Sequence, residues 1–281
     1  MKKKLSILIF ALTYVYLSIQ CQETPEDEIK FAAGRRIITS GNQWTYQETL
    51  EYVQFDIGHQ YELENVIAYG IIENYGLVLR VPFFLNRRLF DEEINRDRRS
   101  GGIGDISLQG EWIFMRTDDN VARFIHGLLF PTGDITKSPL TGSDSIAVIL
   151  ETAFVHESEN WYSDFGFGTR IRLKNFHRTR RLGSIFSYSF SLGPRMQLRN
   201  HPEHIFFLIM QLEGEYLNPT DFIKGVGPRI GGHFTLLGPL LSWEHKNINV
   251  EFFFQWPIAQ REITKFLTIE WRVGFTLELK Y

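Results

Sequence analysis

The chain has 281 residues, 22% of them charged, with a formal net charge of -3. That near balance excludes recognition of nucleic acid through bulk charge, and the charged fraction excludes a bundle of membrane-spanning helices. The aromatic share is nevertheless 15%, with 24 Phe, 11 Tyr and 6 Trp, a combination suited to a barrel that turns only alternate residues to lipid.

The chain opens with Met1, Lys2 to Lys4, an apolar stretch from Leu5 to about Ile19, and Cys21. A basic start followed by a short apolar run is the pattern of a secretory signal peptide, assigned here to residues 1–21. The run is interrupted by Thr13 and Ser18 and falls short of the roughly 20 apolar residues of a membrane-spanning helix. Gln20 before Cys21 argues against lipidation, and a single Cys excludes an intramolecular disulfide framework. Residues 22–44, with Glu23, Pro25, Glu26, Asp27 and Glu28, read as a polar periplasmic leader or a partial plug. Nothing beyond residue 22 is long and apolar enough to span as a helix, so strands must do the spanning.

Twelve strands are expected, over 47–60, 64–73, 75–86, 103–116, 121–131, 144–155, 161–173, 183–198, 204–217, 231–245, 248–258 and 265–281. Short connections (Glu73-Asn74, Thr117 to Asn120, His156 to Asn160, Asn200 to Glu203, Lys246-Asn247) alternate with longer ones (Arg87 to Gly102, Pro131 to Ser143, Lys174 to Leu182, Asn218 to Ile230, Ala259 to Thr264). Short periplasmic turns and longer external loops in alternation are the habit of outer-membrane barrels, and a soluble sandwich has no reason to keep that parity. Several strands also alternate by face. Phe165, Phe167, Ile171 and Leu173 oppose Asp164, Arg170 and Arg172; Phe206, Leu208, Met210 and Leu212 oppose Gln211, Glu213 and Glu215. The second and fifth strands are apolar on both faces and cannot be oriented. The last strand alternates from Leu267 to Tyr281, with Arg272, Gly274, Thr276, Glu278 and Lys280 on its other face. The fold class is therefore all-β: a transmembrane antiparallel up-and-down β-barrel of about 12 strands over residues 45–281, located in the bacterial outer membrane.

If apolar rows face lipid, polar rows converge on a lumen. Its lining candidates are Asp105, Gln109, Glu111, Arg170, Arg172, Arg195, Glu213, Glu215, Arg229, His233, Arg272 and Glu278. These residues either fill a narrow barrel with salt bridges or line a passage and set its selectivity. Two functions follow: a channel for passive movement of a small-molecule solute, or a structural or surface-adhesion barrel with a closed, side-chain-filled lumen. Arg96, Arg98, Arg99, Arg178, Arg180 and Arg181 fall on the long-loop side, either as solvated charge or as contacts to phosphates of lipopolysaccharide. Outer-membrane lipid and, through the C-terminal strand, the barrel-assembly machinery are the other expected partners; nucleic acid is not.

Four segments carry a family resemblance. They are Gly102-Ile103-Gly104-Asp105-Ile106-Ser107-Leu108, Leu129-Phe130-Pro131-Thr132-Gly133-Asp134, Thr141-Gly142-Ser143-Asp144, and Gly238-Pro239-Leu240-Leu241 leading to Gln255-Trp256-Pro257-Ile258. In their order and spacing they resemble the MetA-pathway of phenol degradation family of outer-membrane transporters, as does the stretch Tyr69-Gly70 to Val81-Pro82. The resemblance covers residues 45 to 281 and implies a barrel that passes small, often hydrophobic or aromatic compounds; it brings no agreed functional residues. Within the motifs, Pro131 is expected to end a strand and Gly133 to permit a φ > 0 turn. Gly104 with Asp105 is expected at a strand entry.

No enzymatic chemistry is expected. His156-Glu157-Ser158 brings His and Ser together, but on the short-turn side and without an orienting third group. The eight His, including His201 and His204, lack metal-ligand spacing. Gly225-x-Gly227 lacks the Lys and helix of a phosphate loop, so no cofactor is expected.

Overall fold

The structure, a computed structural model, describes residues 41–91, 96–134, 141–143, 145–175, 180–181, 183–218, 221–222, 231–261 and 268–281. The expected signal peptide, nearly all of the leader, Arg178 and Arg229 lie outside them, and Arg96, Arg180 and Arg181 are described by their backbones alone. The described strands are β1 Trp44–Phe55, β2 Gly58–Ile72, β3 Tyr75–Asp91, β4 Arg96–Ile103, β5 Ile106–Arg116, β6 Asn120–Phe130, β7 Ser145–Glu157, β8 Trp161–Asn175, β9 Arg180–Arg181, β10 Ile185–Leu198, β11 His201–Leu217, β12 Asp221–Phe222, β13 Gly232–His245, β14 Ile248–Arg261 and β15 Ile269–Lys280.

Thirteen of these strands form one antiparallel sheet, and the pairing of β2 with β3 closes it into a ring. Both β4 and β5 pair with β3 and share one position in the ring, so the barrel has twelve staves. β9 and β12 form a separate two-stranded ladder. The chain ends are joined in the wall, where β1 pairs with β15 from Thr45↔Lys280 to Phe55↔Ile269.

The outer surface is apolar. Leu173, Phe165, Leu208 and Phe252 are among many large apolar side chains that remain exposed on it. Such a surface is stable only against hydrocarbon. All six Trp of the chain face outward, with Trp44, Trp112, Trp161 and Trp243 near the end that carries the short turns and Trp256 and Trp271 toward the other. Indole rings held at two levels match the interfacial belts of a membrane barrel.

Two of the expected boundaries are wrong. The first turn falls at Asp56-Ile57, not after residue 60, and β2 then runs unbroken from Gly58. The mixed composition of this hairpin hid the turn, whereas Asp and Gly around Ile57 permit it. The expected loop from Arg87 to Gly102 is largely a hairpin: Asp91↔Arg96, Arg88↔Arg99 and Phe83↔Ile103 are paired across β3 and β4. Here β2 also pairs with β3 up to Gly58↔Leu89, so backbone partners sustain the strands despite the run of like charge.

The family-like motifs occupy two places. Gly104 and Asp105 stand at the entry to β5, as expected; the Asp105 carboxylate accepts the backbone N–H of Gly133 at 3.1 Å and of Ser143 at 2.7 Å. Thr132 Oγ1 donates to the Gly104 carbonyl at 2.7 Å, and the Gly104 N–H donates to the Pro82 carbonyl at 2.8 Å. Gly133 has no positive φ; it is needed because a Cβ there would stand 2.4 Å from Gly142 Cα. At the second place, the β13–β14 ladder is interrupted between Leu237↔Trp256 and Leu240↔Phe253. Pro239 has no N–H to give there, and a Cβ on Gly238 would lie 1.8 Å from the Phe254 carbonyl oxygen.

Asp105 therefore clasps the loop between β6 and β7. Asp105→Ala should lower unfolding stability in detergent by about 2 kcal/mol, the loss of charge-assisted bonds to backbone donors. Urea titration followed by tryptophan fluorescence measures it.

Candidate functional site

Inward-facing rows run up each stave from the short-turn end. On β11 the order is Ile205, Phe207, Ile209, then Gln211, Glu213 and Glu215, whereas on β1 polar Thr45, Gln47, Thr49 and Glu51 precede the buried Val53 and Phe55. Ile113, Val121, Val155, Tyr162, Ile205, Phe207, Ile209, Leu240 and Phe253 form one buried cluster. Tyr162 and Phe207 meet edge to face, with centroids 5.9 Å apart. The inward rows are thus not polar throughout, as the alternation pattern implied. In a barrel of this width opposing walls are close enough for inward side chains to pack as a core.

Ionised groups bound this apolar layer. Arg123 is fully buried on β6 and donates through Nη1 to Glu111 at 2.8 Å. Toward the short turns, Arg195 Nε donates to Glu157 at 2.9 Å, and Lys280 stands 3.6 Å from Glu278 and 3.9 Å from Glu244.

On the loop side of the layer lies a cavity of about 320 Å³. Five expected lumen residues line it: Gln109, Arg170, Glu213, Glu215 and Arg272. Five further charged residues do so as well, Glu51, Glu64, Arg80, Glu151 and Glu251, while Ile125, Ile149, Leu240 and Phe253 contribute apolar surface. Arg272 crosses this space: it donates to Glu213 and to the Gln255 side-chain oxygen, and its guanidinium sits 5.3 Å above the Phe253 ring. Gln255 Nε2 donates to Gln211 at 3.1 Å, and Gln211 Nε2 to Glu213 at 2.9 Å, which closes a polar ring around the arginine.

Other expected lining residues go elsewhere. Glu111, Arg195 and Glu278 lie in the pairs just described, below the cavity. Arg172 donates to Ser145 Oγ at 2.6 Å and to the Gly183 carbonyl at 3.0 Å. Asp105 is occupied by its clasp. His233 is not in the lumen: it pairs with the exposed Tyr216, on the outward row, and lies 2.8 Å from the Tyr188 hydroxyl. Alternation alone gives no register for β13, so a polar residue on it is expected on the polar side; here a tyrosine hydroxyl satisfies it on the outer face instead.

Glu51 and Glu64 are not among the expected lining residues because the first turn lies at Asp56-Ile57 and not after residue 60, and Arg123 is not because its strand is apolar on both faces. Once the Asp56-Ile57 turn is recognised, alternation from Thr45 through Gln47, Thr49 and Glu51 exposes the first of these. His156 and Ser158 are not joined: His156 Nδ1 lies 3.0 Å from Asn120 Oδ1, and Ser158 Oγ donates to the Trp161 carbonyl at 3.3 Å.

The sequence matches no family model and no curated protein. In fold, the chain is similar to an outer membrane channel from Pseudomonas putida F1, with a TM-score of 0.69 and 11% identity over 92% of this chain and 100% of that one. It is also similar to the NanC porin (TM-score 0.51, 7% identity, 84% of this chain and 100% of that one). The beta domain of the Bordetella autotransporter BrkA is a third (0.51, 11%, 86% and 100%). The apolar outer band and this likeness together place the chain in the outer membrane of a bacterium.

Glu111→Gln removes the carboxylate bonded to the buried Arg123, with Glu151 and Asp164 still in its field, and should cost about 3 kcal/mol of unfolding stability. Glu111→Leu combined with Arg123→Met should cost less than the single change. Urea unfolding in lipid vesicles distinguishes the two.

Proposed function

We propose that this barrel is an outer-membrane channel for passive passage of small molecules, and that it belongs to the MetA-pathway of phenol degradation family. The observation that carries the reading is the cavity: a polar space held at mid-barrel inside a wall that faces hydrocarbon has no role in stabilising the wall. The meeting of motif segments at Asp105, and of the others across β13 and β14, supports the family reading, since residues distant in sequence serve one geometry. Contacts of Arg98 and Arg99 with lipopolysaccharide phosphates belong to the same reading, supported by the direct pairing of Arg88 with Arg99, which concentrates positive charge on the projecting hairpin.

In this reading the apolar layer is the constriction. The same layer favours a second reading, a closed structural barrel, because its side chains exclude water. Single-channel recording in planar bilayers separates them. Wild-type protein should give small ion steps, and Tyr162→Ala with Phe207→Ala should enlarge them. Silence from both proteins overturns the channel reading.

A further inference from the structure

Most charged groups around the cavity are matched. Arg80 Nη1 stands 3.3 Å from Glu64, and Arg272 meets Glu213 and stands 3.9 Å from Glu51. Asn249 donates to Glu251 at 3.0 Å, and Glu151 lies in the field of the buried Arg123. Arg170 and Glu215 are different: among the described residues neither side chain has a hydrogen bond or an ion pair, and Arg170 Nε is buried without a partner. A buried donor left unsatisfied is costly, so its persistence calls for an acceptor brought from outside.

The two face the same space from either side of β10. Arg170 on β8 pairs with Ile185, and Glu215 on β11 pairs with Ser187. Their strands are thus two spacings apart, roughly 10 Å, with a further offset of two residues, roughly 7 Å, along the strands, and Ser187, opposite Gly168, puts little bulk between them. Arg172 stands behind Arg170 as a like charge, and Glu213 and Glu215 face Glu51 together. Arg170 and Glu215 thus present one unmatched charge of each sign to the cavity, while Arg80 and Arg272 are engaged with Glu64, Glu213 and Glu51. Ile149, directly opposite Arg170 across the β7–β8 ladder, and Phe253 supply apolar surface to the same cavity.

We infer that the cavity takes a zwitterionic solute with an apolar body. Its carboxylate meets the fork of Arg170, its ammonium group meets Glu215, and its apolar part lies against Ile149 and Phe253. The inference rests on the proposed channel reading of this cavity. A neutral solute satisfies neither group, and a singly charged one leaves the other unmatched.

Three probes with the same ring test it: L-phenylalanine, phenylacetate and phenethylamine. Titrated by calorimetry into the folded, detergent-solubilised barrel, L-phenylalanine should bind about tenfold or more tighter than either of the others, the scale of one charge-assisted hydrogen bond. Arg170→Gln should erase its advantage over phenethylamine, and Glu215→Gln its advantage over phenylacetate. Equal affinity for all three probes, or no binding of any, overturns the inference on wild-type protein alone. In bilayers the same probes should block ion steps in the same order. Preferential binding by a barrel that never conducts would leave the site standing and remove the channel reading, whereas conduction without preference would do the reverse.

Discussion

Backbone hydrogen bonding in hydrocarbon is the constraint on which everything else depends. No water reaches the outer wall to satisfy an N–H or a C=O, so each strand needs a neighbour on both sides. The chain meets this by pairing its first strand with its last, Thr45 with Lys280 through Phe55 with Ile269, and by pairing β2 with β3 along almost their whole length. Closure leaves no edge. It also fixes which side chains point inward, because a slip by one residue would exchange the two faces of a strand.

A closed ring of twelve staves encloses little space, and the inward side chains divide it. Toward the short turns they pack as an apolar core around Tyr162 and Phe207, and the charges of this region arrive paired, Arg123 with Glu111 and Arg195 with Glu157. Charges are tolerable there only when paired and hydrogen-bonded. Toward the loops several rows, that of β11 among them, turn polar, and Arg272 ties β15 to Glu213 on β11 across the interior. The wall and its contents are thus solved separately: the outer face by hydrophobicity, the lumen by pairing, with the cavity left where the pairing is incomplete.

The exceptions to regular strand geometry are concentrated where family-like motifs occur. Asp105 holds the loop between β6 and β7 through backbone donors of Gly133 and Ser143, so an acidic residue at the end of a polar row has a local mechanical use. Pro239 interrupts the ladder between β13 and β14, beside the cavity residues Leu240 and Phe253. In both places glycine is required by the approach of another backbone, and a left-handed conformation has no part in it.

Alternation along single strands was enough to determine the class of fold, the number of staves and the outward rows, because lipid contact demands one apolar face and the period of a strand is two. That is why Phe165, Phe167 and Phe252 are legible without coordinates. The composition of the lumen was not. Glu51 and Glu64 depend on a turn that only the pairing of β1 with β2 places, Arg123 lies on a strand with no polar face to betray it, and His233 resembles a lumen residue until its register with Tyr216 is known. Which inward groups meet depends on the stagger of twelve strands around the ring, a relation among residues far apart in the chain. Local pattern determined where each side chain could point; tertiary closure decided what it would find there.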